Sequence, residues 1–112
     1  MVYWITGRAN SGKTTLAKRL AKQVDGIVID GDEVRKIWGT TDCFRDSDRY
    51  LNILTIARIA RLIEKQDKIA IVACISPKRS VRYEAQLLFD QCIEICMPFG
   101  ELWEGTEYEE PL

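Results

Sequence analysis

The stretch Gly7-Arg8-Ala9-Asn10-Ser11-Gly12-Lys13-Thr14-Thr15 carries the spacing G-x-x-x-x-G-K-[ST]. That pattern suits a loop that wraps phosphate groups. Its glycines permit backbone angles and a close approach that a Cβ would obstruct. Backbone N–H groups then point at an anion seated on the N-terminus of the following helix. A lysine at 13 reaches the β- and γ-phosphates of a nucleotide, and a threonine hydroxyl at 14 ligates Mg²⁺. The cradle is assigned to Gly7, Asn10, Ser11, Gly12, Lys13, Thr14 and Thr15, with ATP and Mg²⁺ as expected ligands.

A second group of polar residues follows a later apolar run. Asp30 and Asp32 flank a single glycine, Gly31. Beside a bound triphosphate, one carboxylate can hold Mg²⁺ through water while the other accepts a proton from an attacking hydroxyl. The run ending Val72-Ala73-Cys74 offers no acid, so the Asp30 and Asp32 pair is the best candidate for the metal. Arg35 comes three residues after Asp32 and, on a helix, shares its face. Arg49 and Asn52 repeat that spacing farther on, and Phe44 offers a ring on which a base can stack.

Strands and helices must hold these groups in place. Val2-Tyr3-Trp4-Ile5-Thr6 is short, apolar and rich in strand formers. After the loop, Leu16, Leu20 and Val24 recur at helical spacing with Ala17 and Ala21 beside them. Asp25-Gly26 makes a turn, and Ile27-Val28-Ile29 reads as a second strand. Glu33 to Trp38 reads as a short helix stopped by Gly39. Thr40 to Ser47 is a polar loop, and Ser47 or Asp48 caps a long helix reaching about Gln66. Ile53, Ile56, Ala60 and Ile63 form its apolar stripe. The run Ile69-Ala70-Ile71-Val72-Ala73-Cys74 fits a strand buried on both faces of a parallel sheet. Ile75-Ser76-Pro77 ends it. Ser80 then caps a last helix with Val81, Ala85 and Leu88 inward, and Cys92 to Cys96 forms a fourth strand. This alternation implies an α/β fold with right-handed crossovers. Ligands of such sheets bind beyond the carboxyl ends of the strands. The glycine loop, Asp30-Gly31-Asp32 and Ile75-Ser76-Pro77 should therefore meet in one crevice.

Composition narrows the function further. The 112 residues suffice for one domain with a modest core. No apolar run is long enough to span a membrane, and the N-terminus has no signal-peptide pattern, so a soluble cytoplasmic protein is expected. There is no histidine, and Cys43, Cys74, Cys92 and Cys96 contain no C-x-x-C pair. Structural zinc and histidine base chemistry are thus disfavoured. Cys74, Cys92 and Cys96 lie in apolar runs and read as buried thiols. Residues 1–82 hold all 16 Lys and Arg against nine acids, whereas residues 83–112 hold eight acids and no Lys or Arg. The basic part suits a polyanion such as a nucleotide, and the acidic tail argues against a nucleic-acid face. The expected partners are small-molecule nucleotides, without membrane or nucleic acid, and self-association is left open.

Together these motifs resemble those of adenylylsulfate kinase, the family that phosphorylates the 3′-hydroxyl of adenosine 5′-phosphosulfate. After its phosphate loop that family carries D-G-D-x-[VI]-R, G-F-S-x-x-D-R-x-x-N and F-I-S-P-x-R-x-x-R. This chain has Asp30-Gly31-Asp32-Glu33-Val34-Arg35, then Cys43-Phe44-Arg45-Asp46-Ser47-Asp48-Arg49-Tyr50-Leu51-Asn52, then Cys74-Ile75-Ser76-Pro77-Lys78-Arg79-Ser80-Val81-Arg82. The resemblance runs in register from residue 1 to about 96. It implies a P-loop NTPase-like three-layer α/β sandwich with a small parallel sheet of about four strands. It implies one domain over residues 1–112, with a core of 1–96 and an acidic tail, 97–112, in place of a lid. It implies transfer of the ATP γ-phosphate, with Lys13 and Asp32 catalytic, Asp32 as the base, and Asp30 with Thr14 at the metal. Asp32, Arg35, Phe44, Arg49, Asn52, Ile75 and Ser76 would surround the acceptor.

The chain also departs from that family. Asn10 stands where a loop glycine is usual, a mild change because asparagine tolerates left-handed angles. Cys43 replaces the glycine before Phe44. After the fourth strand the family continues with a basic R-D-P-K-G-L-Y-K lid, F-T-G-I and Y-E-x-P elements, and a final strand and helix. Here Met97 to Leu102 leads straight to Trp103, Gly105, Tyr108 and Pro111, which look like remnants of the later elements. The expectation is a shortened form whose binding sites are better supported than its turnover. Arg8, Arg79 and Arg82 remain as cations that can substitute in part for those of the lid. Two other readings stay open: a kinase for another nucleoside or nucleotide acceptor, and a nucleotide-binding protein with little catalysis.

Overall fold

The structure, a computed structural model, describes residues 1–8, 11–38 and 46–98. In chain order the elements are β1 (Val2–Thr6), α1 (Lys13–Val24), β2 (Ile27–Asp30), α2 (Gly31–Trp38), α3 (Asp46–Glu64), β3 (Ala70–Ala73), α4 (Arg79–Gln86) and β4 (Cys92–Cys96). The strands form one parallel sheet in the order β2-β3-β1-β4. In register, Trp4 of β1 lies between Val72 of β3 and Glu94 of β4. Every residue of β3 is buried, which its unbroken apolar run requires once helices cover both faces.

Side-chain alternation along β1 divides the core in two. Val2 and Trp4 enter the layer built with Ile53, Ile56, Ala57 and Ala60 of α3 and Ala85 of α4. Ile5 enters the opposite layer with Ile71 and Ala73, against Ala17, Leu16 and Leu20 of α1. The result is three layers: α1, the sheet, and α3 with α4. Ala57 and Ala60 are small and bring α3 close to the sheet, and Ile56 fills the space between them. Full burial of such an isoleucine contributes about 1.5–3 kcal/mol.

Several local expectations give way to the geometry. Helix α2 begins at Gly31, two residues earlier than the pattern suggests, and α3 begins at Asp46, before the expected caps Ser47 and Asp48. Helix α4 begins at Arg79 with Lys78 in the cap position, so Ser80 lies inside the first turn and does not cap it. The helix ends at Gln86, which leaves Leu88 beyond it and 39% exposed instead of inward. Of the described thiols, Cys74 is buried, but Cys92 and Cys96 are only partly so, because β4 is an edge strand. Among the described residues no helix is long and apolar enough to cross a membrane.

At the amino ends of the strands sits one buried carboxylate. Glu64 accepts the Asp90 N–H at 2.9 Å and the Gln91 N–H at 3.2 Å. It also pairs with the Met1 ammonium at 3.0 Å and Arg61 at 2.7 Å. Burial alone would raise the Glu64 carboxyl. The Asp90 N–H, the Met1 ammonium, the Gln91 N–H and Arg61 outweigh that and hold it down at about 2.

Candidate active site

Gly7 follows β1 with φ at 156°, and a Cβ there would lie 2.9 Å from Met97 Cβ and 3.0 Å from Ser11 Oγ. Gly12, at φ 90°, takes a left-handed angle and turns the chain into α1. Gly12 has no side chain to cap the helix, and the first turn of α1 contains no acid. No side chain of that turn therefore competes with an anion for the leading amides. Lys13 is half-buried, and its ammonium donates to the Arg8 carbonyl at 2.7 Å, with Ser11 Oγ at 3.4 Å. Burial pulls the Lys13 ammonium below its ordinary range, while Cys74 and Asp30 act in the opposite sense. Burial pushes the Cys74 thiol up to about 11, so at neutral pH it is uncharged and Asp30 is the anion that Lys13 feels.

Asp30, at the end of β2, ties the loop to α2. Thr14 Oγ1 donates to Asp30 Oδ2 at 2.9 Å, and the Asp32 N–H donates to Asp30 Oδ1 at 2.9 Å. Asp30 thereby caps α2, a role that aspartate favours, and Asp32 and Glu33 complement the helix dipole in its first turn. The D-G-D stretch is a strand end running directly into a helix. Gly31 makes that junction close: a Cβ on it would sit 2.9 Å from Cys74 Cβ. Asp32 is exposed and accepts a hydrogen bond from Arg35 one turn later. Arg49 and Asn52 lie half-buried near the start of α3, and Val34 carries α2 onto the same core. Thr15 is exposed on α1. Asn10, Cys43, Phe44 and the tail from residue 99 lie outside the described residues.

After β3, Ile75 is half-buried and Ser76 is buried. Thr6 Oγ1 donates to the Ile75 carbonyl at 2.6 Å, and Arg82 Nη1 donates to the Ser76 carbonyl at 2.6 Å. Arg82 also pairs with Glu94 at 3.1 Å, and its side chain is 2% exposed. It is therefore committed inside the fold and is no substitute for a lid cation; Arg8 and Arg79 also have partners of their own. Thr6, Trp4 and Glu94 belong to no motif that marks them for this site. The one available signal is Glu94, a lone charge in the otherwise apolar Cys92-Ile93-Glu94-Ile95-Cys96.

The donor set suits magnesium. That ion takes one or two carboxylates and fills its remaining positions with water and substrate phosphates. Thr14 and Asp30, adjacent at the mouth of the phosphate loop, supply hard oxygens of this kind. Among the described residues no group of three or more His, Cys, Asp or Glu could hold a metal, so an all-protein cage is not built there. The arrangement brings the Lys13 ammonium, the Thr14 hydroxyl and the Asp30 carboxylate to the region beyond the ends of β1 and β2.

Comparison with known proteins adds an independent line. The adenylylsulphate kinase family model matches residues 1–108. The adenylyl-sulfate kinase of Burkholderia ambifaria is 39% identical over 93 residues, which cover 79% of this chain and 51% of that one. That of Penicillium chrysogenum is 35% identical over 118 residues, covering 97% and 56%. The chain spans about half the length of these curated relatives. Among solved structures, the Mycobacterium tuberculosis APS kinase in complex with AMPPNP and APS superposes with a TM-score of 0.76 at 27% identity, covering 86% of this chain and 61% of that one. The hexameric APS kinase of Thiobacillus denitrificans gives 0.69 at 27% identity, covering 96% and 24%.

Proposed function

Because this chain belongs to the adenylylsulphate kinase family, we propose that it transfers the γ-phosphate of ATP to the 3′-hydroxyl of adenosine 5′-phosphosulfate. The observation that carries this reading is the 2.9 Å bond from Thr14 Oγ1 to Asp30 Oδ2, which joins the phosphate loop to the D-G-D segment. The loop amides and Lys13 hold the β- and γ-phosphates. Thr14 and Asp30 would hold Mg²⁺, which would supply positive charge to the transferring phosphates. Arg35, Phe44, Arg49 and Asn52, with Ile75 and Ser76, hold the acceptor. Asp32 takes the proton from the 3′-hydroxyl as that oxygen bonds to the γ-phosphorus and the bond to the bridging oxygen breaks. ADP leaves, and Arg35 keeps the Asp32 carboxylate aligned. The ligand pair in the tuberculosis relative, AMPPNP and APS, supports both halves of the site. The hexameric relative supports self-association of this chain. A steady-state assay with ATP, Mg²⁺ and a panel of acceptors tests the proposal; preference for a different nucleoside or nucleotide would refute the acceptor.

Arg49 offers a separate check. Arg49→Ala should weaken adenosine 5′-phosphosulfate binding while ATP affinity stays within about 1 kcal/mol, since distant sites are nearly independent. Calorimetry with each nucleotide decides it, and a parallel loss of both affinities would overturn the two-site map.

A second reading also has an observation behind it: residues 83–112 hold eight acids and no Lys or Arg. Phosphoryl transfer draws on cations that meet charge developing on the transferred group, and on closure against water. The 112-residue chain in this reading binds both nucleotides, transfers slowly and releases phosphate to water. Single-turnover counts of product and free phosphate separate the two readings: fast transfer with negligible free phosphate leaves only the first.

A further inference from the structure

Ser76 is 2% exposed and holds φ at 43°. A left-handed angle is strained for a residue that has a Cβ. Such an angle persists only where the surroundings over-determine it. Two neighbouring strands do so here. Trp4 of β1 and Glu94 of β4 are paired in register and, by alternation, face the same layer. Trp4 reaches Ser76 directly, its indole N–H donating to Oγ at 3.2 Å. Glu94 reaches it through Arg82, whose Nε meets Glu94 Oε1 at 3.1 Å and whose Nη1 meets the Ser76 carbonyl at 2.6 Å. Cys74 Sγ, 2.7 Å from Ser76 Oγ, completes the clamp. Neutralising the carboxylate would weaken the charge that orients a buried guanidinium, and with it the donor fixed on the Ser76 carbonyl.

We infer that Arg82 and Glu94 are positioning residues for the acceptor. They clamp the Ser76 carbonyl, fix the orientation of the Ser76-Pro77 peptide that follows the Ile75-Ser76 pair, and so set acceptor affinity without touching the acceptor. The inference rests on the acceptor site proposed above. Phosphate binding is held separately, by the glycine loop, the start of α1 and the Thr14 bond to Asp30. The clamp therefore acts on one nucleotide and not the other.

Glu94→Gln tests it, because that residue is partly exposed and the change keeps its shape. Arg82→Lys is the companion variant, since an ammonium keeps the charge but lacks the fork that bridges two acceptors. Adenosine 5′-phosphosulfate and AMPPNP are titrated separately, and exchange of the Trp4 indole N–H is followed by NMR. Both variants should weaken adenosine 5′-phosphosulfate binding roughly tenfold or more, the scale of a lost charge-assisted bond. The acceptor KM should rise in step while kcat and AMPPNP affinity hold within about twofold, and the indole N–H should exchange faster. An unmoved Trp4 signal overturns the clamp. A moved signal with unchanged acceptor affinity overturns the positioning role, as does equal weakening of both nucleotides. If the parent chain does not bind adenosine 5′-phosphosulfate, the proposed acceptor site falls and takes the positioning role with it, while the indole measurement still decides the clamp.

Discussion

Lys13→Ala lowers ATP affinity by roughly 1.5–3 kcal/mol, a loss of about tenfold to more than a hundredfold. The lysine stands at the first position of α1, directly after the left-handed Gly12. Its ammonium rests on the Arg8 carbonyl at 2.7 Å, a neutral partner. A triphosphate offers a far better one, so the bond that forms on binding is charge-assisted. Alanine removes that bond and leaves the glycines and helix amides in place, so residual affinity should remain. Calorimetry with AMPPNP on parent and variant measures the difference. Equal affinity would sink the assignment of this loop to phosphate.

Stability should fall by about 3 kcal/mol as acid titrates Glu64, since each tenfold change in proton affinity is worth about 1.4 kcal/mol. Its carboxyl is held at about 2 in the folded chain, against 4.5 without the fold. The folded value is depressed, so the stabilisation is complete above pH 4.5 and is lost as the pH drops toward 2. Glu64→Gln removes the titration. Its stability at neutral pH should be lower by a similar amount, because the Met1 ammonium loses its counter-charge and Arg61 is left with the exposed Asp90 at 3.2 Å. Urea melts of both proteins from neutral pH down to about pH 3 should converge as the pH falls, as linkage requires. Parallel curves would show that Glu64 is not the group responsible.

The parts of the fold that were readable were those written in neighbouring residues. The glycine-lysine spacing marked the loop, and the apolar run before Cys74 marked a strand covered on both faces; both are where the pattern put them. The errors arose where a distant residue decides. Helix α2 opens at Gly31, two residues before Glu33, and glycine is required at that junction because a Cβ would meet Cys74, far along the chain, at 2.9 Å. Leu88 had the right helical spacing and missed the core because α4 stops at Gln86. Arg82 reads, with Arg8 and Arg79, as a cation that can substitute in part for those of the lid. Its burial depends on Glu94, and that depends on β4 lying beside β1, a strand order that no local pattern records.

That order has a consequence for how the chain assembles. β1 is synthesised first, yet its partners are β3 and β4, with Val2 meeting Ala70 on one side and Cys92 on the other. β2 does not touch β1; β3 lies between them. A nascent chain that ends before Ala70 thus contains two strands and no sheet. Its apolar Val2 to Ile5 segment waits unpaired while α1, α2 and α3 are made. Non-local parallel pairing of this kind folds slowly and leaves strand edges open to aggregation. The Ala70–Ala73 segment supplies hydrogen-bond partners to both earlier strands at once.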